Sequence, residues 1–180
     1  QAAHKIAQMP HPNLVAVRDF GVTPAGRPYL VMDRLEGRTL LDELRERGGR
    51  LPLGLALAIA QQTLSGLCAV HAAGLVHRDI KPSNIFLCSA DLVTADALRD
   101  GMVKVLDLGV AKVVEMASAR TPSPLAIPTA TGQLVGTPRY MAPEQIDGSP
   151  LDGRADVYSL ALVLYQLICG RGPFDSARSY

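Results

Sequence analysis

The alternation of apolar and polar residues near the start of the chain predicts a β-hairpin. Residues 13–21 alternate toward a strand, and a turn at 24–26 separates them from a second short strand at 29–31. The apolar set of the first strand is Leu14, Val15, Val17 and Phe20.

The rest of the chain is dominated by helical patterns. Thr39 fits the N-cap of a short helix at 40–47, and residues 51–73 and 156–169 are apolar around most of their circumference. Such helices are usually buried in a larger core. Short apolar runs at 75–76, 85–87 and 103–106 suit strands that bracket loops, and 118–133 reads as a loop without periodicity.

Composition narrows the classes of function without choosing among them. The 180 residues are 48% hydrophobic and 19% charged with a net charge of +1, which suits one globular domain and argues against nucleic-acid or polybasic membrane binding. Three cysteines without paired spacing indicate free thiols in a reducing cytoplasm. The apolar run at 157–169 is short and carries polar residues, so we expect a core helix rather than a membrane segment in this chain.

The segment His77-Arg78-Asp79-Ile80-Lys81-Pro82-Ser83-Asn84 resembles the catalytic loop of protein kinases. The resemblance implies that Asp79 accepts or orients the proton of a substrate hydroxyl and that Asn84 turns back to a metal ion. Lys81 would place positive charge near the γ-phosphate of ATP. The alternative is an ordinary polar loop between two core elements.

The segment Val105-Leu106-Asp107-Leu108-Gly109 resembles the family's D-F-G motif, with Leu in place of Phe. Alone, D-x-G is a common turn, but its order and distance after the first motif favour the resemblance. It implies that Asp107 holds Mg²⁺ against ATP together with Asn84. Leu108 would have a structural role, packing against His77, which we expect to be structural as well.

The segment 136–144, G-T-P-R-Y-M-A-P-E, resembles the end of a kinase activation segment. It argues against small-molecule kinases, which lack this peptide-docking loop. Thr137 and Lys81 match the Ser/Thr-specific pattern, in which both contact the catalytic Asp79. Glu144 would be structural.

The resemblance implies regulatory or structural roles for four further positions. Thr129 and Thr131 lie where related bacterial kinases are autophosphorylated, and Arg78 is the kind of residue that pairs a phosphothreonine. The alternative is a linker with incidental threonines. Asp156 would be buried and would hydrogen-bond the backbone of the catalytic loop.

The resemblance extends upstream to His11-Pro12-Asn13-Leu14-Val15, and it implies a nucleotide site. Met32 would be the gatekeeper, 33–37 the hinge that meets adenine through backbone groups, and Phe86 the residue under the adenine ring. Apolar residues of this kind are also often plain core. The predicted nucleotide-binding residues are Met32, Asp33, Leu35, Phe86, Lys81, Asn84 and Asp107.

The predicted fold is α+β and kinase-like but partial. Residues 1–36 would be the remnant of an N-lobe and 37–180 a truncated C-lobe. The chain has no match to the family's Gly-rich loop, strand-3 Lys or helix-C Glu, so we expect the 180 residues alone to fold poorly and to show little kinase activity. The stretch 88–102 is longer than expected and has no assigned role.

The resemblance predicts a bacterial, non-specific Ser/Thr protein kinase that depends on ATP and Mg²⁺. It would act in the cytoplasm on Ser and Thr of protein substrates, and it could phosphorylate itself. A pseudokinase scaffold is the alternative, although such proteins typically lose the residues equivalent to Asp79 or Asp107. A small-molecule phosphotransferase of similar fold is a third. A Gly-rich loop and a V-A-x-K strand upstream would favour the enzyme.

Overall fold

The computed structural model describes residues 10–25, 27–88, 98, 102–107 and 138–175. The predictions for the loop at 118–133 and for most of the stretch at 88–102 fall outside these residues. The strands are β1 (Val17–Val22), β2 (Pro28–Met32), β3 (Arg38–Thr39), β4 (Ile85–Leu87) and β5 (Val103–Val105). The helices are α1 (Leu40–Glu46), α2 (Leu53–Ala72), α3 (Pro143–Ile146) and α4 (Arg154–Cys169), with 3₁₀ turns at Pro82–Asn84 and Pro138–Tyr140.

The predicted hairpin is present as the antiparallel pair β1–β2, which runs from Val17 opposite Met32 to Val22 opposite Pro28, with a register shift between Val17 and Asp19. The predicted start of its first strand at residue 13 is wrong. Leu14 instead forms a parallel bridge with Val105, and Val15 donates its N–H to the Val105 carbonyl at 3.1 Å. Residues 13–15 therefore dock on the second sheet before the hairpin begins.

That second sheet has the antiparallel order β3-β4-β5. The strand predicted at 85–87 has those bounds, but the one predicted at 75–76 is wrong. The Leu75 N–H donates to the Val70 carbonyl at 3.1 Å, so it closes the end of α2 and is not available to a sheet.

The helices supply most of the core. The side chain of Thr39 accepts the N–H of Asp42 and starts α1, while Gly170 ends α4 in the left-handed conformation with φ of 75°. Gly66 lets the chain at Asn13 cross α2 closely, because a Cβ there would lie 2.8 Å from the Asn13 carbonyl oxygen. The largest side chains with less than 2% exposure include Leu40, Leu55, Ile59, Leu67, Ile80, Ile85, Leu87 and Leu167.

In the described part of the chain one helix, α2, is long and apolar enough to cross a membrane, with a mean hydropathy of 1.6. Half of that helix is buried inside the structure, where it packs against α4 and β5. The core helix of a folded domain has the same properties, so the length and composition of α2 are weak evidence for a span.

A buried polar junction joins the start of the chain to α2 and β5. The Asn13 Nδ2 donates to the Gln62 Oε1 at 3.0 Å and to the Val103 carbonyl at 2.9 Å. The same Gln62 oxygen accepts the Val103 N–H at 3.0 Å. Buried amides must be paired in this way, so the junction sets how residues 13–15 lie on the core.

This junction gives a test with a matched control on the neighbouring residue. Gln62→Ala removes one of the two acceptors of the Asn13 amide and the acceptor of the Val103 N–H, and we expect it to lower the free energy of unfolding by about 2 kcal/mol. Gln61 is exposed on the same helix, so Gln61→Ala should change it by less than about 0.5 kcal/mol. Urea denaturation of both variants measures this, and equal effects would contradict the junction's role.

Candidate active site

Asp79, Lys81 and Asn84 form one hydrogen-bonded cluster. The 3₁₀ turn before β4 folds Asn84 back, so its Nδ2 donates to the Asp79 backbone oxygen at 2.8 Å and to Asp79 Oδ2 at 3.0 Å. The Lys81 ammonium also donates to Asp79 Oδ2, at 2.9 Å. Local chain geometry thus brings a carboxylate, a cation and an amide together, and holds one oxygen of the carboxylate with two donors.

Asp107 joins this cluster through the backbone. The Leu106 N–H donates to the Asn84 carbonyl at 2.8 Å, so the exposed Asp107 follows directly after a residue anchored to Asn84. Its φ is 53°, in the left-handed region that Asp tolerates better than most residues. Two residues that the sequence predicts as metal ligands are therefore brought together at the ends of β4 and β5.

The donor chemistry at this point fits Mg²⁺. Both Nδ2 contacts of Asn84 go to Asp79, and within the described residues no hydrogen bond engages its Oδ1, which leaves that oxygen able to bind a cation. Mg²⁺ prefers such oxygen ligands and commonly takes one or two from protein and the others from water and phosphate. The described ranges contain no group of three or more His, Cys, Asp or Glu that could hold a metal unaided.

The loop that carries Asp79 is fixed by a buried carboxylate from α4. Asp156 is 1% exposed; its Oδ2 accepts the His77 N–H and its Oδ1 accepts the Arg78 N–H, both at 2.8 Å. Arg78 has a φ of 67°, a conformation that costs a residue with a side chain on the order of 1–3 kcal/mol and persists only when neighbours hold it. The two Asp156 contacts supply part of that hold.

His71 is a partner of Asp156 that the sequence analysis missed. Its Nε2 lies 2.7 Å from Asp156 Oδ2, and Gly153 makes room for the ring, since a Cβ there would lie 2.7 Å from His71 Nδ1. The pattern carried one usable signal: a buried Asp needs polar partners, and His71 lies in the last turn of the helix that precedes the loop.

The ring of His77 is buried and holds one defined tautomer. Its Nδ1 lies 3.2 Å from the Asp79 N–H and accepts it, so the proton sits on Nε2, which donates to the Leu106 carbonyl at 2.8 Å. Burial lowers the pKa of His77, although the Leu106 hydrogen bond and nearby carboxylates oppose the shift. His77 is thus a neutral link between the loop at Asp79 and the segment at Asp107.

The predicted adenine contacts lie on other elements. Met32 ends β2 with 41% exposure, and Leu35 follows it half-buried. The Asp33 N–H donates to the Ala16 carbonyl at 3.0 Å, so this N–H is already hydrogen-bonded within the protein. Arg18 donates to both Asp33 carboxylate oxygens, which lowers the pKa of Asp33. Phe86 lies half-buried in β4, two residues after Asn84.

The segment after residue 137 lies against the same loop. Tyr140, Met141, Gln145 and Ser159 line one small cleft with residues 78–81. The Glu144 side chain is half-buried and makes no ion pair with any residue in the described ranges. The remaining predicted site residues, Leu108, Thr129, Thr131 and Thr137, lie outside the described residues.

Comparison with known proteins accounts for this arrangement. A family model described as "Protein kinase domain" matches residues 3–180. The chain belongs to the protein kinase family. The kinase Pkn1 of Myxococcus xanthus is 44% identical over 168 residues, and PknL of Mycobacterium tuberculosis is 40% identical over 179 residues. The crystal structure of the Mycobacterium tuberculosis PknI kinase domain superposes with a TM-score of 0.68 at 28% identity.

These matches confirm the kinase-like α+β fold and the bacterial Ser/Thr kinase resemblance predicted from the sequence. They cover 92% of this kinase chain for Pkn1 and 98% for both PknL and PknI. The chain in turn spans 21% of Pkn1, 40% of PknL and 58% of the PknI structure.

The buried ring of His77 predicts an acid-sensitive element in this kinase domain. Because its native pKa lies below the unfolded value of about 6.5, the unfolded chain takes up a proton first as pH falls. The contribution of the neutral His77 ring to the free energy of unfolding is therefore complete above the unfolded pKa of about 6.5, and it is lost as the pH falls below that value. We expect ¹⁵N NMR to show the His77 ring taking up its proton at a lower pH in the native protein than in urea, where it titrates near the ordinary value of about 6.5. A native midpoint at or above 6.5 would contradict this.

Proposed function

We propose that the chain forms the catalytic part of a protein kinase that transfers the γ-phosphoryl group of ATP to Ser and Thr hydroxyls of proteins. The observation that carries the proposal is the Asp79–Lys81–Asn84 cluster, because it holds a restrained carboxylate against the predicted metal ligand Asn84 and at the cleft lined by Tyr140, Met141 and Gln145. Membership of the protein kinase family, with relatives named Ser/Thr kinases, supports the same reaction.

Asp79 would act on the substrate hydroxyl. Lys81 and Asn84 both hold its Oδ2, and within the described residues no hydrogen bond occupies its Oδ1. That free oxygen can accept or orient the hydroxyl proton as the phosphoryl group arrives. Lys81 carries the positive charge that would stabilise the oxygens of the transferring group.

Asn84 and Asp107 would hold the metal ion that accompanies ATP. When bound, Mg²⁺–ATP supplies the phosphoryl group and screens the negative charge between its β- and γ-phosphates. We assign the adenine end to Met32, Asp33, Leu35 and Phe86, which keeps the nucleotide between the hairpin and β4. On this basis we propose a division between an N-lobe part at 1–36 and a C-lobe part at 37–180.

Specificity and regulation extend the proposal. Lys81 with Thr137 would favour Ser and Thr over Tyr, and Thr129 and Thr131 would be autophosphorylated. The guanidinium of Arg78 is exposed next to Asp79, where it can meet a phosphothreonine. We place the activity in the cytoplasm, where ATP is available and where the free thiols of Cys68, Cys88 and Cys169 stay reduced.

Asp79→Asn tests the reaction directly. The amide keeps the shape of the side chain but cannot take a proton, so we expect kcat to fall by roughly 10²- to 10⁴-fold with little change in the affinity for ATP. The protein expressed from its complete gene is assayed with radiolabelled ATP, with itself and with a basic protein as acceptors.

The control variant is Asp19→Asn, which makes the same chemical change on the exposed hairpin and should leave the rate unchanged. Equal rates for the two variants would contradict the role of Asp79. Phosphate found only in a metabolite and never in protein would contradict the substrate class.

A further inference from the structure

We propose that Gln145 is a positioning residue for Asp79, an inference that rests on the proposed kinase function. Gln145 lies in α3, 67 residues from Arg78 along the chain, and its Nε2 donates to the Arg78 carbonyl at 2.9 Å. Arg78 directly precedes Asp79, so this carbonyl belongs to the peptide group that carries the Asp79 nitrogen. The contact reaches the candidate base through one peptide plane.

Two helices hold opposite ends of Arg78. The Arg78 N–H donates to Asp156 of α4 at 2.8 Å, and its carbonyl accepts from Gln145 of α3. Between these contacts the residue has its positive φ of 67°. A conformation that is unfavourable by itself is kept when both flanking peptide groups are fixed. Gln145 therefore supplies the second half of the restraint that Asp156 begins.

The Gln145 amide has a single orientation that satisfies its neighbours. Its Oε1 accepts the Ala142 N–H at 3.0 Å, which caps the start of α3, and its Nε2 faces the Arg78 oxygen. A backbone N–H can only donate and a carbonyl can only accept, so a rotated amide would lose both contacts. Gln145 thus has two separable roles: its Oε1 accepts a hydrogen bond that caps the helix, and its Nε2 donates a hydrogen bond that holds the loop.

This bond links the peptide-docking segment to the base. Helix α3 continues directly from residues 138–142, and Met141 and Gln145 line the same cleft as Asp79 and Lys81. A change in the position of α3 is therefore transmitted to the peptide group before Asp79. The geometry makes the orientation of Asp79 depend on the seating of the segment that would bind the substrate.

Substitutions at residue 145 separate the helix-capping role from the loop-holding role. Gln145→Glu keeps an acceptor for the Ala142 N–H but places a carboxylate against the Arg78 carbonyl. Gln145→Lys keeps a donor for that carbonyl and loses the cap, and Gln145→Met loses both. Gln61→Glu, on the exposed face of α2, is the matched control for the charge change.

In the protein expressed from its complete gene, we expect roughly a tenfold lower kcat for the Glu and Met variants, with unchanged KM for ATP. The Lys variant should keep most of the wild-type kcat although its melting temperature falls, and Gln61→Glu should match wild type. If the Glu variant does not fold, the comparison of Lys with Met decides by itself.

A wild-type rate in the Glu variant, or equal losses in Lys and Met, would overturn the positioning role and leave the kinase function standing. A wild-type protein that phosphorylates no protein would overturn the proposed function and this inference with it.

Discussion

The carboxylate of Asp156 is the contact on which the candidate active site depends. Burying a charge costs several kcal/mol unless hydrogen bonds replace its water, and here three groups do so: the backbone N–H groups of His77 and Arg78, and the ring of His71. Because these partners come from α2 and the following loop, Asp156 ties α4 to the place where the loop turns toward Asp79. In the described part of the chain every buried side-chain polar atom has a partner.

From Asp156 a continuous series of contacts reaches both Asp79 and Asp107. Arg78, held at its N–H, leads to Asp79, which is bonded to Asn84, and the Asn84 carbonyl anchors Leu106 immediately before Asp107. The neutral ring of His77 adds a second connection, because it donates a hydrogen bond from the loop to the Leu106 carbonyl. A candidate base and a candidate metal ligand on different segments thus share one rigid frame, as phosphoryl transfer requires.

Local patterns predicted much of this, and non-local contacts account for the rest. Strand β4 and helices α1 and α4 follow from periodicity, capping and glycine positions that lie within a few residues of each element. Residues 13–15 carried a strand pattern, but their partner is Val105, which no local signal identifies. His71 and Gln145 were missed for the same reason, since their partners lie 85 and 67 residues away.

The site motifs could be recognised in the sequence because the chemistry fixes the spacing of their residues within a short loop. The turn at Pro82–Asn84 brings residues 79, 81 and 84 together without help from distant segments. What holds the loop itself cannot be read from that spacing. It depends on the tertiary fold, which places Asp156 under one peptide group of the loop and Gln145 against another.

Amide hydrogen exchange at His77 and Arg78 tests this account most directly, because each N–H donates to the buried Asp156 carboxylate although both residues lie in a loop. NMR of the native protein should show both amides exchanging slowly, with protection close to that of the core helix α2. Exchange as fast as at the exposed Ala25 in the hairpin turn would contradict it, since the loop would then open without disturbing Asp156.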